Sequence, residues 1–144
     1  MYLTVKQQVK HLSKEDYKSI KKLCHIAKNL TNEAIYNIRQ YYFTEGEFLK
    51  YEKNYTLLKS SDNYKMLNSN MAQQILKEVD SSFKSFFGLL KLAKKGKYAF
   101  KDCKLPHYLP KDGYTTLVIG FVRLNGNKLI LPFSNTYKKS HKPV

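Results

Sequence analysis

Tryptophan is absent from this 144-residue chain, and arginine, acidic residues, cysteine, glycine and proline are all sparse. The two cysteines, Cys24 and Cys103, stand far apart and belong to no C-x-x-C pair, so no zinc ribbon is encoded. His11, His25, His107 and His141 lack the i, i+4 or Cys/His spacing of a metal site and are expected to be solvated or packing residues. Neither a metal nor a cofactor is expected in this chain. No stretch approaches the roughly 18 consecutive apolar residues that span a bilayer, and MYLTVKQQVK alternates where a signal peptide would carry an apolar run. The expected location is the cytoplasm, with no membrane partner. The six glycines never fall in a dinucleotide-binding or P-loop order, and nucleophile elbows and Ser/His/Asp spacing are missing too. The 11 acids fall on helix faces and turns, whereas a two-metal nuclease needs carboxylates converging from rigid strands. No catalytic residue is expected, and the chain does not read as an enzyme.

What is abundant is lysine. Against 11 acids stand 26 basic residues, all but Arg39 and Arg123 being lysine, for a net charge of +15. A field of that size on a small body points to a polyanion, although a lysine excess also reads as a solvated surface. Lysine holds phosphate as a point charge where arginine would read guanine bidentately, so backbone tracking should dominate. Aromatics make up 14% and hydrophobics 42%, enough for one folded domain. Basic and aromatic residues interleave at Tyr36, Arg39, Tyr41, Tyr42 and again at Lys97, Tyr98, Phe100, Lys101, Lys104, His107, Tyr108 and Lys111. That mixture suits single-stranded or structured RNA and splayed DNA, and the same rings read equally as core.

Periodicity orders the chain. Tyr2 to Val9 alternates as a half-buried strand. Ser13 with Asp16 starts a helix at about Lys14, and Tyr17, Ile20, Cys24, Ala27, Thr31, Ala34, Ile38 and Tyr41 give it an apolar stripe over about seven turns, with Asn29 to Asn32 as a point where it could break. The pattern lapses at Gly46, and a short helix follows near Tyr51 to Lys59. Ser60 to Asn63 form a turn, and Asn68 or Ser69 caps a second long helix carrying Ala72, Ile75, Leu76, Val79, Phe83, Phe86, Phe87, Leu90 and Ala93. Gly96 stops it, and it should pack on the first helix. Beyond lies an extended region with an Asn125-Gly126 hairpin, and Gly120 marks a bulge or a close backbone approach. The tail NTYKKSHKPV reads as a fragment's boundary or as a frayed basic end. The order implies an α+β fold in which helices interrupt a β unit, with the strand at 2–9 pairing with the C-terminal β segment.

The run LNSNMAQQILKEVDSSFKSFFGLLK (Leu67 to Lys91) resembles the transposon-encoded TnpB, or OrfB, family, in which a Gln-Gln pair precedes an aliphatic/acidic turn and a Phe-Phe ending. CHIAKNLTNEAIYNIRQYYF (Cys24 to Phe43) is similar to that family's first helix, and KLPHYLPKDGYTTLVIGFVRLNGNKLILPFS (Lys104 to Ser134) to its Lys-Leu-Pro segment and hairpin. The family comprises RNA-guided DNA endonucleases related to type V CRISPR effectors. The resemblance therefore implies a small wedge-type β-barrel, with residues 1–12 supplying its first strand and 97–144 the others, and a helical recognition lobe over 13–96 inserted in it. It implies guide RNA, double-stranded target DNA and a C-terminal nuclease domain as partners. The family's nuclease acids and zinc ribbon lie beyond Val144, so recognition without cleavage is what these residues would carry.

By the same resemblance Ser69, Asn70, Gln73 and Gln74 would read the motif flanking the DNA target, joined by Phe48 or Tyr51. Glutamine suits that task because its amide can pair bidentately with adenine, although Gln73 and Gln74 also read as exposed helix formers. Lys94, Lys95, Lys97, Lys101, Lys104 and Arg39 would hold RNA phosphates. Two other classes fit the same composition: a stand-alone helical DNA-binding regulator framed by Tyr17 to Tyr41, and a basic RNA-binding protein without sequence preference.

Overall fold

The computed structural model describes residues 1–140. Helix α1 (Lys14–Glu45) is followed by α2 (Tyr51–Leu58), α3 (Asp62–Met66), α4 (Ser69–Lys94), a single 3-10 turn at Phe100–Asp102, strands β1 (Arg123–Asn125) and β2 (Lys128–Ile130), and α5 (Asn135–Ser140). The fold is thus mixed helix plus a small antiparallel sheet, in keeping with α+β.

The helix boundaries follow local chemistry. The Ser13 hydroxyl accepts from the Asp16 amide at 3.0 Å, and Gly46, at φ 70°, closes α1 in the left-handed region. Between them α1 runs unbroken for 32 residues, about 48 Å. The asparagines that made 29–32 look weak are retained because their amides find partners on neighbouring elements. Asn68 caps α4, and a Schellman pair ends it, with Lys97 N–H donating to Leu92 O and Gly96 N–H to Ala93 O, both at 3.0 Å. The turn expected at 60–63 is present but shorter: Ser61 N donates to Leu58 O at 2.9 Å, and Ser61 then accepts from Tyr64 N and starts α3.

The two long helices do pack together. The stripe on α1 that meets the core is Leu23, Ile26, Ala27, Leu30, Ala34, Ile35 and Ile38, against Ala72, Ile75, Leu76, Val79 and Phe83 of α4. This stripe is rotated from the expected one: Tyr17 is exposed, and Cys24 and Thr31 are only half-buried. Phe83 is fully buried at the centre. Leu49, Leu58, Tyr64 and Leu67 close the core from α2, α3 and their loops, and Asn54 bridges α2 to α1 by donating to Ala34 O and accepting from Asn37.

The β expectations are met only in part. Residues 2–9 form no strand; the arm 1–12 is exposed throughout and pairs with nothing described. Alternation specifies which faces a strand would show, but a strand also needs a neighbour to accept its hydrogen bonds, and none lies beside this one. Among the described residues the sheet is the two-stranded hairpin alone, with Arg123 opposite Ile130 and Asn125 opposite Lys128. Its two-residue turn is Gly126-Asn127, one position beyond the expected pair, with only Gly126 (φ 59°) left-handed, as a type II′ turn requires. The tail is not frayed through residue 140: Tyr137 of α5 is buried and stacks on Phe133 at 5.2 Å. Residues 141–144, with His141, lie outside the described residues.

Where a barrel wall was expected, the chain is an extended strap lying antiparallel along α1. Arg39 Nη2 donates to Pro106 O at 2.7 Å, Asn32 Nδ2 to Leu109 O at 3.0 Å and Lys28 Nζ to Lys111 O at 2.6 Å. His25 Nδ1 meets Gly113 O at 3.1 Å, and Thr115 N donates to Cys24 O at 3.3 Å. From 106 to 110 the strap follows α1, and it then closes a turn in which Gly113 N donates to Pro110 O at 2.9 Å before continuing to Thr115. Beyond it, Gly113 to Gly120 alternates half-buried and exposed, and Leu117 packs on the core. The stretch is extended as expected, and its cover is a helix where a sheet was expected.

Candidate nucleic-acid interface

The N-terminal end of α4 holds the expected motif-reading residues. Ser69 and Asn70 are exposed, and Gln73 and Gln74 half-buried. The Gln73 side chain hydrogen-bonds the Tyr64 hydroxyl, and Tyr64 meets Tyr55 at 6.0 Å, which in turn stacks on Tyr51 at 6.2 Å. An aromatic chain thereby joins Gln73 to Tyr51. Burial pushes the Tyr64 hydroxyl's pKa up, and the Gln73 hydrogen bond partly pulls it back. Tyr51 is raised as well, first by burial and then by Tyr55 and Glu52.

Phe48 goes elsewhere. It packs on Phe87 at 5.2 Å, in a cluster with Tyr42 and Phe86, about 21 Å up the α4 axis from Gln73. Of the two aromatic candidates, only Tyr51 is brought towards Gln73.

Asn70 has a neighbour that spacing could not reveal. A Cβ built on Gly120 would lie 2.5 Å from Asn70 Oδ1, so the strap's far end passes directly over the start of α4. The glycine expected to mark a close approach does so.

Lys94, Lys95, Lys97, Lys101 and Lys104 are all exposed, grouped where α4 ends and the 3-10 turn begins. Lys84, ten residues before Lys94 on the same helix, pairs its Nζ with Asp80 Oδ2 at 2.8 Å. This end of α4 is about 30 Å from Gln73, the length of about nine nucleotide steps. Arg39 differs from these lysines: it is half-buried, holds the Pro106 carbonyl, and carries its guanidinium carbon 4.6 Å from the Tyr108 ring centroid. Its surroundings make it a clamp on the strap.

Missed altogether in the sequence was an asparagine-rich cleft where α1, α3 and the strap meet. Glu33 accepts from the Ser61 hydroxyl at 2.7 Å and from Asn63, and Asn29 donates to Asn63. The available signal was the spacing Asn29, Asn32, Glu33, Asn37, which places four uncharged-amide or acidic side chains along one side of a helix whose other polar residues are mostly lysine.

No three His, Cys, Asp or Glu side chains cluster as a metal site among the described residues, and no helix there is long and apolar enough to cross a membrane. In comparison with known proteins, no family model, no curated protein and no solved structure matches the chain.

Proposed function

We propose that this chain is the nucleic-acid-recognition part of a transposon-associated RNA-guided DNA nuclease of the TnpB kind. It acts in the cytoplasm, binds guide RNA and the target-flanking DNA motif, and leaves cleavage to a C-terminal nuclease domain. The observation that carries the reading is the unneutralised charge: +15 overall, with five exposed lysines gathered at one end of α4. Their phosphate attraction has no acidic partner to lose first. The motif-reading set Ser69, Asn70, Gln73 and Gln74 with Tyr51 sits at the other end of the same helix. In this reading the arm at 1–12 and the strands at 123–130 contribute to a wedge-type barrel that flanks the helical lobe, while 106–115 stays on α1. Support for it is the alternation of Leu3, Val5 and Val9 and the exposure of Leu124 and Leu129, apolar faces that call for cover.

The test is binding of a structured RNA over a salt series. The logarithm of affinity should fall linearly with that of salt, since each neutralised phosphate releases condensed counterion. A flat response, or no binding at about 50 mM salt, overturns the reading. In the full-length protein, Gln73→Ala should relax motif recognition by about 1–3 kcal/mol of discrimination while leaving RNA affinity unchanged.

A further inference from the structure

The geometry points to a pocket for one unpaired nucleobase, selective for bases bearing an exocyclic amino group, in the cleft between α1, α3 and the strap. This deepens the nucleic-acid reading and rests on it. The cleft holds about 490 Å³, within the range of about 300–1,000 Å³ in which small ligands are bound. Its walls include Asn29, Glu33, Tyr36, Asn37, Asn63 and Tyr108.

The lining selects the ligand. No lysine or arginine lines the cleft, so a phosphate or carboxylate has nothing there to neutralise it. Tyr36 and Tyr108 are 55% and 43% exposed, unlike the core aromatics, and present ring surface to whatever enters. The Tyr108 ring is held from Arg39, whose Nη2 is itself anchored on Pro106 O, so the platform is oriented before any ligand arrives. Aromatic platforms of this kind stack bases, and a +15 protein concentrates a ligand strung on a polyanion over a neutral sugar.

The hydrogen bonds sharpen the choice. Asn29 gives one Nδ2 hydrogen to Asn63 and Asn37 one to Asn54, each keeping a second, while both amide oxygens have no partner among the described residues. Glu33 adds a carboxylate whose two oxygens each have lone pairs beyond the bonds from Ser61 and Asn63. Free lone pairs therefore outnumber free N–H groups on this wall, and the charged acceptor, Glu33, is the strongest of them. Adenine, cytosine and guanine present amino donors to such a wall; uracil and thymine present carbonyls on the same edge and are disfavoured.

The test uses the full chain and fluorescence anisotropy with oligonucleotides of about ten residues: oligo(A), oligo(C) and oligo(U), each as RNA and DNA. Wild type should prefer A and C over U by about fivefold or more. Tyr36→Ala should weaken oligo(A) about fivefold to a hundredfold, with Tyr36→Phe restoring it, since the stacking face and not the hydroxyl is needed. Asn29→Ala should keep most of the affinity and erase the A-and-C preference. Thermal unfolding of each variant checks the fold, which exposed Tyr36 should barely affect. Comparison of oligo(A) with oligo(dA) tells whether the base comes from RNA or DNA. Equal binding of all bases, or an unchanged Tyr36→Ala, overturns the pocket. If wild type binds structured RNA but no oligonucleotide, the pocket falls and the broader reading stands; if it binds neither at low salt, both fall.

Discussion

Asn32 and Leu109 hold each other through both of their polar groups: Asn32 Nδ2 donates to Leu109 O at 3.0 Å while its Oδ1 accepts from Leu109 N at 2.8 Å. One helix residue thereby satisfies both backbone groups of a strap residue 77 positions on, as a neighbouring strand would.

Asn32→Ala should cost about 1–3 kcal/mol, the worth of two hydrogen bonds plus the desolvation of a half-buried peptide group left open. Denaturant unfolding gives the magnitude. Hydrogen exchange gives the place: the Leu109 amide should exchange far faster, and unaltered protection there would show that the strap is held by something else.

Gly120→Ala should hardly alter stability, yet should turn the Asn70 side chain away. The new Cβ would sit 2.5 Å from Asn70 Oδ1, the far end of an exposed side chain that is able to swing aside. Shifts of the Asn70 side-chain amide signals would report the move. If Asn70 contributes to motif recognition, Gly120→Ala should lower it in the same sense as Asn70→Ala, and adding Gly120→Ala to Asn70→Ala should have no further effect.

Alkaline pH should destabilise the fold through Tyr64 and Tyr51. Both have hydroxyl pKa values raised above the usual 10.0 when folded, so the unfolded chain ionises first. Their contribution is fully present below pH 10.0 and is lost as pH climbs from there through the folded-state values. Gln73→Leu removes the hydrogen bond that lowers Tyr64, and a tyrosinate absorbance titration should then find Tyr64 ionising at still higher pH. A fall would mean the bond does not favour the ionised form.

Lys97→Gln and Lys101→Gln, both exposed, should each reduce the slope of log affinity against log salt by about 0.7–0.9 for every phosphate contact removed, for all sequences alike. Thermal unfolding should not change. Loss of binding to one sequence only would assign these lysines to base readout.

The helices could be read from the sequence because their signals are local. Ser13, Gly46, Asn68 and Gly96 act on backbone groups within a turn of themselves, and the apolar residues of α4 repeat without a rival pattern. On α1 the stripe was misphased because two faces are covered: Leu23 and Leu30 meet α4, while Cys24, Lys28 and Thr31 face the strap. Lys28, which lies off the apolar repeat, is 3% exposed. The strap's attachment left no trace in side-chain pattern, since it bonds through main-chain carbonyls and amides that nearly every residue possesses. The arm at 2–9 shows the converse: its alternation is plain, but alternation names no partner. At the interface, Gln73 and the lysines could be proposed from residue type and resemblance; the cleft of Asn29, Glu33 and Asn63 could not, because it unites α1 with residues brought close only by the α2–α3 turn.

The strap's bonds to α1 also set an order of events on the ribosome. Residues 106–115 are made about 70 to 90 positions after the α1 groups that hold them, and at about 5–20 residues per second that is a wait of several to about 18 s. α1 and α4 can close their apolar faces within that interval, since both are complete before Pro106 emerges. Lys28 and Arg39 meanwhile remain in water, the cheapest place for an unpaired cation. Each is withdrawn only when a carbonyl arrives to receive it, so the nascent chain is never asked to bury either charge alone.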